Sequence, residues 1–175
     1  MEIRSVAVIG AGTMGAGIAQ VCAQAGWKTN LFDAFPEGLE RGMKVIDSFW
    51  DKGIARGKTS AEQKKQWAAN LHPFSDMSEA VSNVDMVIEA VPEIPSLKHQ
   101  IFADLGKMTK EGCILGTNTS SLSIKAIAQA SGREGDVIGM HFFNPVPIMK
   151  LLELVKHDSC SEQTIAFAQA AGAAM

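Results

Sequence analysis

A glycine-rich segment at residues 10–15, with the sequence Gly-Ala-Gly-Thr-Met-Gly, limits what this chain can fold into more than any other feature. The run before it, Ser5–Ile9, is apolar and rich in β-branched residues, which predicts a buried parallel strand. After the glycines, apolar residues recur at helical spacing, at Met14, Ile18, Val21, Cys22 and Ala25. A second predicted strand, Lys28–Phe32, is followed at once by Asp33. The glycines are therefore predicted to form the turn of a strand–turn–helix–strand unit that ends in an acidic residue.

Such a unit is typical of dinucleotide binding. Gly10 permits the tight turn, Gly12 lets the backbone approach a pyrophosphate, and Gly15 lets the helix pack closely on the strand. The helix N-terminus presents free N–H groups and a positive dipole end to the phosphates. Asp33 is placed to accept hydrogen bonds from the adenosine ribose. The residues of this unit predicted to bind the dinucleotide are Gly10, Ala11, Gly12, Thr13, Met14, Gly15 and Asp33.

The acidic residue favours NAD over NADP as the cofactor. The carboxylate of Asp33 would repel a 2′-phosphate, and the next residues, Ala34 and Phe35, supply no arginine to bind one. The glycine segment also lacks the Gly-Lys-Ser/Thr ending of a loop that binds nucleoside triphosphates, which argues against an ATPase.

Composition and charge exclude several classes of partner. A net charge of −3 over 175 residues gives no electrostatic basis for binding nucleic acid or an anionic membrane. The 23 uncharged residues at 5–27 are a poor membrane span or signal peptide, because five glycines and the predicted turn interrupt them. The three cysteines are widely spaced and form no Cys-x-x-Cys pair, which predicts reduced thiols and a cytoplasmic location.

Strand and helix patterns alternate along the rest of the chain. Further strands are predicted at 72–74, 85–91, 113–117, 137–141 and 151–155. This alternation predicts an α/β fold of the Rossmann type, a doubly wound and mostly parallel sheet with helices on both faces. In such sheets ligands bind beyond the carboxyl ends of the strands. The residues predicted to lie at those ends are Gly10, Asp33, Val91, Thr117 and His141.

A histidine and a glutamate in the last third of the chain are the clearest candidates for acid–base chemistry. His141 ends the predicted strand 137–141, at the edge of the sheet where ligands bind. Glu153 interrupts the apolar run 151–155. Because a buried carboxylate is costly unless it is paired, we expect Glu153 to form a hydrogen bond with His141. The four histidines show no metal-ligand spacing with one another or with cysteine, so no metal site is predicted.

Three motifs together resemble the NAD-binding domain of L-3-hydroxyacyl-CoA dehydrogenases. They are Gly-Ala-Gly-Thr-Met-Gly-Ala-Gly-Ile-Ala-Gln at 10–20, Asn-Thr-Ser-Ser-Leu at 118–122 and His-Phe-Phe-Asn-Pro-Val-Pro at 141–147. The resemblance covers essentially the whole chain, and the second and third motifs are much more specific than the first. It implies NAD-dependent oxidation of L-3-hydroxyacyl-CoA to 3-oxoacyl-CoA, a reaction of fatty acid β-oxidation.

The resemblance also implies roles for individual side chains. His141 is implied as the catalytic base and Glu153 as the acid that orients it. Ser120 is implied to contact the substrate hydroxyl and Asn144 to lie beside the nicotinamide, which completes the implied catalytic group. The cofactor contacts implied outside the first unit are Glu93, Lys98, Asn118, Ser120 and Asn144.

The stretch at residues 52–65 is polar, interrupted by glycines and rich in lysine. It is open to two interpretations, a solvated connection or a basic edge that meets substrate phosphates. Under the second interpretation, the resemblance implies contacts with coenzyme A among Lys52, Arg56 and Lys58, without a choice among the three.

The family continues beyond this domain with a helical domain that supplies a catalytic asparagine, part of the acyl pocket and the dimer contact. We therefore expect residues 1–175 to be the NAD-binding domain of a longer enzyme. Its expected partners are the 3-hydroxyacyl-CoA or 3-oxoacyl-CoA substrate, that helical domain and a second copy in a homo-oligomer.

Two alternative functions stay open. One is an NAD-binding module with little or no turnover in isolation. The other is a different two-domain NAD dehydrogenase, such as one acting on sugar acids, which leaves the His-Phe-Phe-Asn-Pro run unexplained.

Overall fold

A seven-stranded sheet runs through the centre of the molecule. The computed structural model describes residues 2–175. Its strands are β1 Ser5–Ile9, β2 Lys28–Phe32, β3 Leu71–Phe74, β4 Met86–Glu89, β5 Ile114–Thr117, β6 Val137–Phe142 and β7 Leu152–Val155. They lie in the order β3-β2-β1-β4-β5-β6-β7, with the first six parallel and β7 antiparallel to β6. The predicted mostly parallel sheet is confirmed.

Helices connect most of the strands. They are α1 Thr13–Gln24, α2 Pro36–Ala55, α3 Ala61–Asn70, α4 Met77–Val81, α5 Pro95–Met108, α6 Ile124–Ser131 and α7 Glu162–Ala174, with a short 3-10 helix at Glu134–Asp136. None of the helices described within residues 2–175 is long and apolar enough to cross a membrane.

The helices cover both faces of the sheet because side chains alternate along each strand. Val6 and Val8 of β1 belong to one buried apolar cluster, which also contains residues of α1, α2 and α7. Ala7 and Ile9 belong to a second cluster, with residues of α4, α5 and α6. Two apolar cores on opposite faces confirm the predicted doubly wound α/β fold.

The order of the strands creates a crevice beside β1. From β1 the chain passes to β2 and β3 on one side, and then crosses to β4, β5 and β6 on the other side. The point between β1 and β4 is where ligands of doubly wound sheets bind, at the carboxyl ends of the strands. The fold therefore brings the turn after β1 together with the segments that follow β4, β5 and β6.

Candidate functional site

The turn after β1 contains glycine where a side chain would collide with the backbone. Gly10 has a φ of 101°, in the left-handed region, and a Cβ there would lie 2.7 Å from the carbonyl oxygen of Ala90. A Cβ on Gly15 would overlap the carbonyl oxygen of Gly10. The two glycines thus let the turn close against α1 and the end of β4.

Gly12 faces open space, unlike Gly10 and Gly15, because a Cβ at Gly12 would have no heavy atom within 4 Å. Gly12 is the exposed N-cap of α1, and no side chain caps that helix end. The first N–H groups of α1 are therefore free of a side-chain acceptor, and Gly12, Thr13 and Met14 line an adjoining cavity. Backbone donors and a positive dipole end at one open place fit the predicted pyrophosphate.

Asp33 is held at the end of β2 by two backbone donors. The N–H of Ala11 donates to Oδ2 at 2.8 Å, and the N–H of Phe35 donates to Oδ1 at 2.8 Å. Each carboxylate oxygen can accept a further hydrogen bond, and Asp33 lines the same cavity as Gly12. This geometry fits a ribose diol.

Two of the cofactor contacts predicted in the unit that runs from Gly10 to Asp33 do not line the cavity. Ala11 is buried, and its N–H is already donated to Asp33. Gly15 is also buried, packed against the backbone of Gly10. Both residues shape the turn, and Ala11 also supports Asp33. The residues of this segment that line the cavity are Gly10, Gly12, Thr13, Met14 and Asp33, and the cofactor contacts of all seven stay a prediction.

The cavity at Asp33 has a volume of about 610 Å³. Beyond the glycine turn and the carboxylate, its walls are largely apolar, formed by Ile9, Phe32, Ala34, Phe35, Met77, Ala90, Val91, Pro92, Leu97 and Ile101. An apolar slot with one acid at its end suits a flat heteroaromatic base that carries a ribose. The adenosine half of a dinucleotide has this chemistry.

A second cavity, of about 370 Å³, shares a wall with the first through Met14, Ala90, Val91 and Pro92. In addition to Met14, it brings together five of the predicted site residues, namely Glu93, Asn118, Ser120, His141 and Asn144. The two cavities form one cleft along the carboxyl edge of the sheet, from Asp33 to His141. We call the two cavities together, with all of the residues that line either one, the carboxyl-edge cleft.

His141 lies near the end of β6, directly opposite Glu153 of β7. Its Nδ1 is 3.5 Å from Oε1 of Glu153, and its ring packs at a tilt against Phe143, with ring centroids 4.6 Å apart. With Nδ1 beside the carboxylate, Nε2 is the ring nitrogen left for a ligand in the cleft.

The surroundings of Glu153 differ from the prediction in two respects. The Glu153 side chain is 60% exposed rather than buried, and 3.5 Å exceeds the usual N–H···O distance of about 2.7–3.2 Å. The reason is that β7 is an edge strand, along which Leu152 and Leu154 are half-buried while Glu153 and Val155 are exposed. The Glu153 carboxylate thus lies close to the His141 ring, but the expected hydrogen bond is not present.

A buried ion cluster beside the second cavity was missed in the sequence. Glu89, which is completely buried, accepts hydrogen bonds from Lys98 Nζ at 2.9 Å, Thr117 Oγ1 at 2.7 Å and the Val91 N–H at 2.8 Å. The signal was available, since Glu89 interrupts an apolar strand and a buried carboxylate needs partners. Of the two glutamates that interrupt apolar runs, it is Glu89 that is buried and paired, whereas Glu153 is exposed.

Lys98 is 1% exposed, and its ammonium lies between two carboxylates. It is 2.9 Å from Glu89 Oε2 and 2.6 Å from Glu93 Oε1, and it lines neither cavity. The contact between Lys98 and the cofactor stays a prediction. Lys98 holds Glu93 in position.

Glu93 lines the second cavity and is fixed on both oxygens. Oε2 accepts a hydrogen bond from Thr119 Oγ1 at 2.6 Å, and Ser121 Oγ lies 3.4 Å away. Partial burial opposes ionisation of Glu93, but the hydrogen bonds from Lys98 and Thr119 outweigh it and lower the pKa of the carboxyl group. Glu93 is thus a charged group at neutral pH.

Asn118 joins the ends of three strands. Its backbone N–H donates to the carbonyl oxygen of Glu89 at 2.9 Å, and its Oδ1 accepts a hydrogen bond from the Phe142 N–H at 2.9 Å. Nδ2 is left as a donor at the cavity. Ser120 and Asn144 are exposed side chains on the loops after β5 and β6 that line the same cavity.

Lys52, Arg56 and Lys58 are not brought to the cleft. Lys52 lies in the last turn of α2, and the other two lie in the turn that follows. All three side chains are exposed, and none lines either cavity. Their proposed contact with coenzyme A stays a prediction.

The chain has a dinucleotide-binding domain of the Rossmann class. Three features define it: the carboxyl-edge cleft between β1 and β4, the glycine turn at the N-terminus of α1, and the acidic residue after β2. Comparison with known proteins gives the family. Residues 5–175 match the family model described as the NAD-binding domain of 3-hydroxyacyl-CoA dehydrogenase. The chain belongs to this family, which confirms the resemblance read from the sequence and NAD as the cofactor of the domain.

Individual relatives agree with this assignment. The chain is 40% identical over 164 residues to a probable 3-hydroxybutyryl-CoA dehydrogenase of Bacillus subtilis (strain 168), an alignment that covers 94% of this chain and 57% of the relative. It is 42% identical over 155 residues to the 3-hydroxyadipyl-CoA dehydrogenase of Escherichia coli (strain K12), covering 89% of this chain and 32% of the relative. The chain thus spans only part of the curated relatives it matches.

A solved structure shows the same fold. The crystal structure of 3-hydroxybutyryl-CoA dehydrogenase from Escherichia coli K12 superposes with a TM-score of 0.96 and 37% sequence identity. The match covers 99% of this chain and 37% of that chain.

Proposed function

We propose that this chain is the NAD-binding and catalytic part of an enzyme that interconverts L-3-hydroxyacyl-CoA and 3-oxoacyl-CoA. Family membership and the names of the relatives support the proposal. The observation that carries it is the carboxyl-edge cleft, which runs from Asp33 past Gly12 to His141. A single ligand in this cleft would contact both the phosphate-binding turn and the imidazole.

The residues of the cleft suit successive parts of NAD. Asp33 would accept hydrogen bonds from the adenosine ribose, and the N–H groups at the start of α1 would hold the pyrophosphate. The remaining nicotinamide end would lie in the second cavity, beside His141. When bound there, NAD supplies the acceptor for a hydride from C3 of the substrate.

His141 is proposed as the general base. Its Nε2 would accept the proton of the 3-hydroxyl group as the hydride leaves C3, so the neutral imidazole is the active form for oxidation. The Glu153 carboxylate, 3.5 Å from Nδ1, would stabilise the imidazolium that results. General-base help of this kind contributes about 10²–10⁴-fold to a rate.

Three polar side chains complete the proposed site. Ser120 would contact the substrate oxygen, Asn144 would lie beside the nicotinamide, and Nδ2 of Asn118 would donate into the same cavity. Donors of this kind stabilise the negative charge that develops on the substrate oxygen during reaction. Glu93, held by Lys98, is proposed as a further contact of the cofactor.

The proposed enzyme includes more than residues 1–175. A helical domain and a homo-oligomeric partner are proposed because the chain spans 57% of its Bacillus subtilis relative and because apolar side chains are exposed between β6 and β7, at Ile148, Met149 and Leu151. Apolar patches on a surface commonly bind partners. Contacts of coenzyme A with Lys52, Arg56 or Lys58 and a cytoplasmic location belong to the same proposal.

A second function, NAD binding with little turnover, is favoured by one observation. Ser120 and Asn144, which line the second cavity, are exposed, so within residues 2–175 the His141 end of the cleft is open to solvent. Holding a substrate over its reaction partner can account for about 7–11 kcal/mol of a barrier. A chain that binds NAD without holding the acyl group would therefore turn over slowly.

Steady-state oxidation of NADH with acetoacetyl-CoA tests both functions. We expect measurable turnover by this chain that rises when the rest of a relative's sequence is fused after residue 175. His141→Gln should lower the turnover of both proteins by about 10²–10⁴-fold while calorimetric NAD affinity stays within about twofold. Absence of activity in the fused protein would contradict the proposed enzyme, and full activity in this chain alone would contradict the need for a second domain.

A further inference from the structure

The His141 end of the carboxyl-edge cleft carries an uncompensated negative charge. Glu93 is the one carboxylate that lines the second cavity, and none of the residues that line it is lysine or arginine. Behind Glu93, the two carboxylates of Glu93 and Glu89 share the single ammonium of Lys98. The cluster of three side chains therefore has one net negative charge.

That charge is held in place beside the cavity. Lys98 and Glu89 are both buried, 1% and 0% exposed, while the Glu93 side chain is 41% exposed at the cavity itself. Thr119 Oγ1 and Lys98 Nζ, each 2.6 Å from a Glu93 oxygen, restrict the rotation of the carboxylate. Because water is partly excluded, a charge here acts more strongly on a neighbouring ligand than it would in bulk solvent.

The two forms of the cofactor differ in charge at their reacting end. The nicotinamide ring of NAD⁺ is a cation, and the ring of NADH is neutral, whereas the adenosine and pyrophosphate parts are the same. A fixed negative charge near the ring therefore attracts NAD⁺ and has little direct effect on NADH.

We propose that Glu93 sets the preference of this domain between oxidised and reduced cofactor, by placing the net negative charge of the Glu89–Lys98–Glu93 cluster beside the nicotinamide. This inference rests on the proposed placement of the nicotinamide next to His141. It assigns to Glu93 a selective effect on NAD⁺ and goes beyond contact with the cofactor. Removing the charge should lower the affinity for NAD⁺ relative to the affinity for NADH by roughly three- to tenfold. This is the range expected for one partly screened charge a few ångströms away.

The ratio of two dissociation constants separates this role from a structural one. A variant that only disturbs the structure of the cleft lowers the affinities for NAD⁺ and NADH equally, and it leaves the ratio of the two dissociation constants unchanged. Loss of the charge changes the ratio, and a tenfold change corresponds to about 30 mV in the two-electron potential of the bound cofactor. ADP-ribose, which lacks nicotinamide, reports on the rest of the cleft.

The experiment is isothermal titration of NAD⁺, NADH and ADP-ribose into this chain and three variants. Glu93→Gln keeps the size of the side chain and an acceptor for Thr119 but removes the charge. Glu93→Asp keeps the charge. Asp104→Asn removes one charge from a half-buried position farther along α5, outside both cavities, and serves as the matched control.

We expect Glu93→Gln alone to shift the NAD⁺ to NADH ratio, with ADP-ribose affinity unchanged within about twofold. An unchanged ratio in Glu93→Gln, or an equal shift in Asp104→Asn, would overturn the inference while leaving the proposed function intact. If the unmodified chain binds NAD⁺, NADH and ADP-ribose with equal affinity, the nicotinamide makes no contact in the cleft and does not lie beside His141. That result would contradict the proposed function as well.

Discussion

The Lys98 ammonium and the Glu89 carboxylate are both buried and lie 2.9 Å apart at the carboxyl edge of the sheet. Breaking a buried ion pair by removing one partner leaves an uncompensated charge, at a cost of about 3–5 kcal/mol. Lys98 is also paired with Glu93, so it is the removal of Lys98 that leaves the buried Glu89 carboxylate without a cation. Lys98→Met should therefore lower the free energy of unfolding by about 3 kcal/mol or more, measured by urea denaturation.

The double variant Glu89→Ala, Lys98→Met should recover much of that loss, because replacing a buried pair by apolar side chains is often nearly neutral. Glu40→Ala is the control, since Glu40 pairs with Lys44 on the exposed face of α2 and should hardly affect unfolding. A double variant less stable than Lys98→Met would show that the pair is not the source of the effect.

The His141 and Glu153 side chains should contribute unequally to the rate. His141→Gln removes the proposed base and should lower turnover of acetoacetyl-CoA by about 10²–10⁴-fold in the fused protein. Glu153 is an exposed partner without a hydrogen bond, so Glu153→Gln should lower turnover by about tenfold at most. Equal losses in the two variants would mean that the pair tightens when the rest of the enzyme covers it.

Asp33 should determine which cofactor is bound. Replacing Asp33 by Ser removes the charge that repels a 2′-phosphate, and Ala34→Arg adds a cation next to it. The combined variant should change the NAD to NADP affinity ratio by roughly tenfold or more, measured by calorimetry. If the unmodified chain binds NAD and NADP equally, Asp33 does not lie at the ribose.

Substitutions at Gly12 and Gly15 should have different effects, one on NAD affinity and the other on the free energy of unfolding. Gly12→Ala adds a Cβ into open space, so it should leave unfolding unchanged while lowering NAD affinity by about tenfold or more, because the new methyl group occupies the approach of the pyrophosphate. Gly15→Ala overlaps the Gly10 carbonyl oxygen and should destabilise the chain by about 3 kcal/mol.

Gly135→Ala is a suitable control for both variants, because its Cβ would make only ordinary contacts, the nearest at 3.7 Å to the Ser159 carbonyl oxygen. Urea denaturation and NAD titration on the three variants give the comparison. Loss of NAD binding by Gly15→Ala without loss of stability would contradict the packing role assigned to Gly15.

Much of the fold was predictable because each of its signals is local. The apolar run Ser5–Ile9, the glycine turn and the periodicity of α1 are all read within about twenty-five residues, and the strand–helix alternation then implies a doubly wound sheet. The positions of Asp33 and His141 at strand ends follow from the same pattern.

The partners of buried charges were harder to predict because they depend on which strands become neighbours. Glu89 and Glu153 both interrupt apolar runs, but β4 lies inside the sheet and β7 lies at its edge. The sequence does not distinguish an inner strand from an edge strand when both are short and apolar. Pairing of Lys98 with Glu89 likewise required the position of α5 over the end of β4.

The most direct measurement of the central claim is a crystal structure of this chain with NAD⁺ bound. The account predicts the adenosine ribose within hydrogen-bond distance, about 3.2 Å or less, of an Asp33 oxygen. It predicts the pyrophosphate at the N–H groups that open α1, and the nicotinamide in the cavity lined by Glu93 and His141. A nicotinamide bound outside that cavity, with the ribose away from Asp33, would contradict the account.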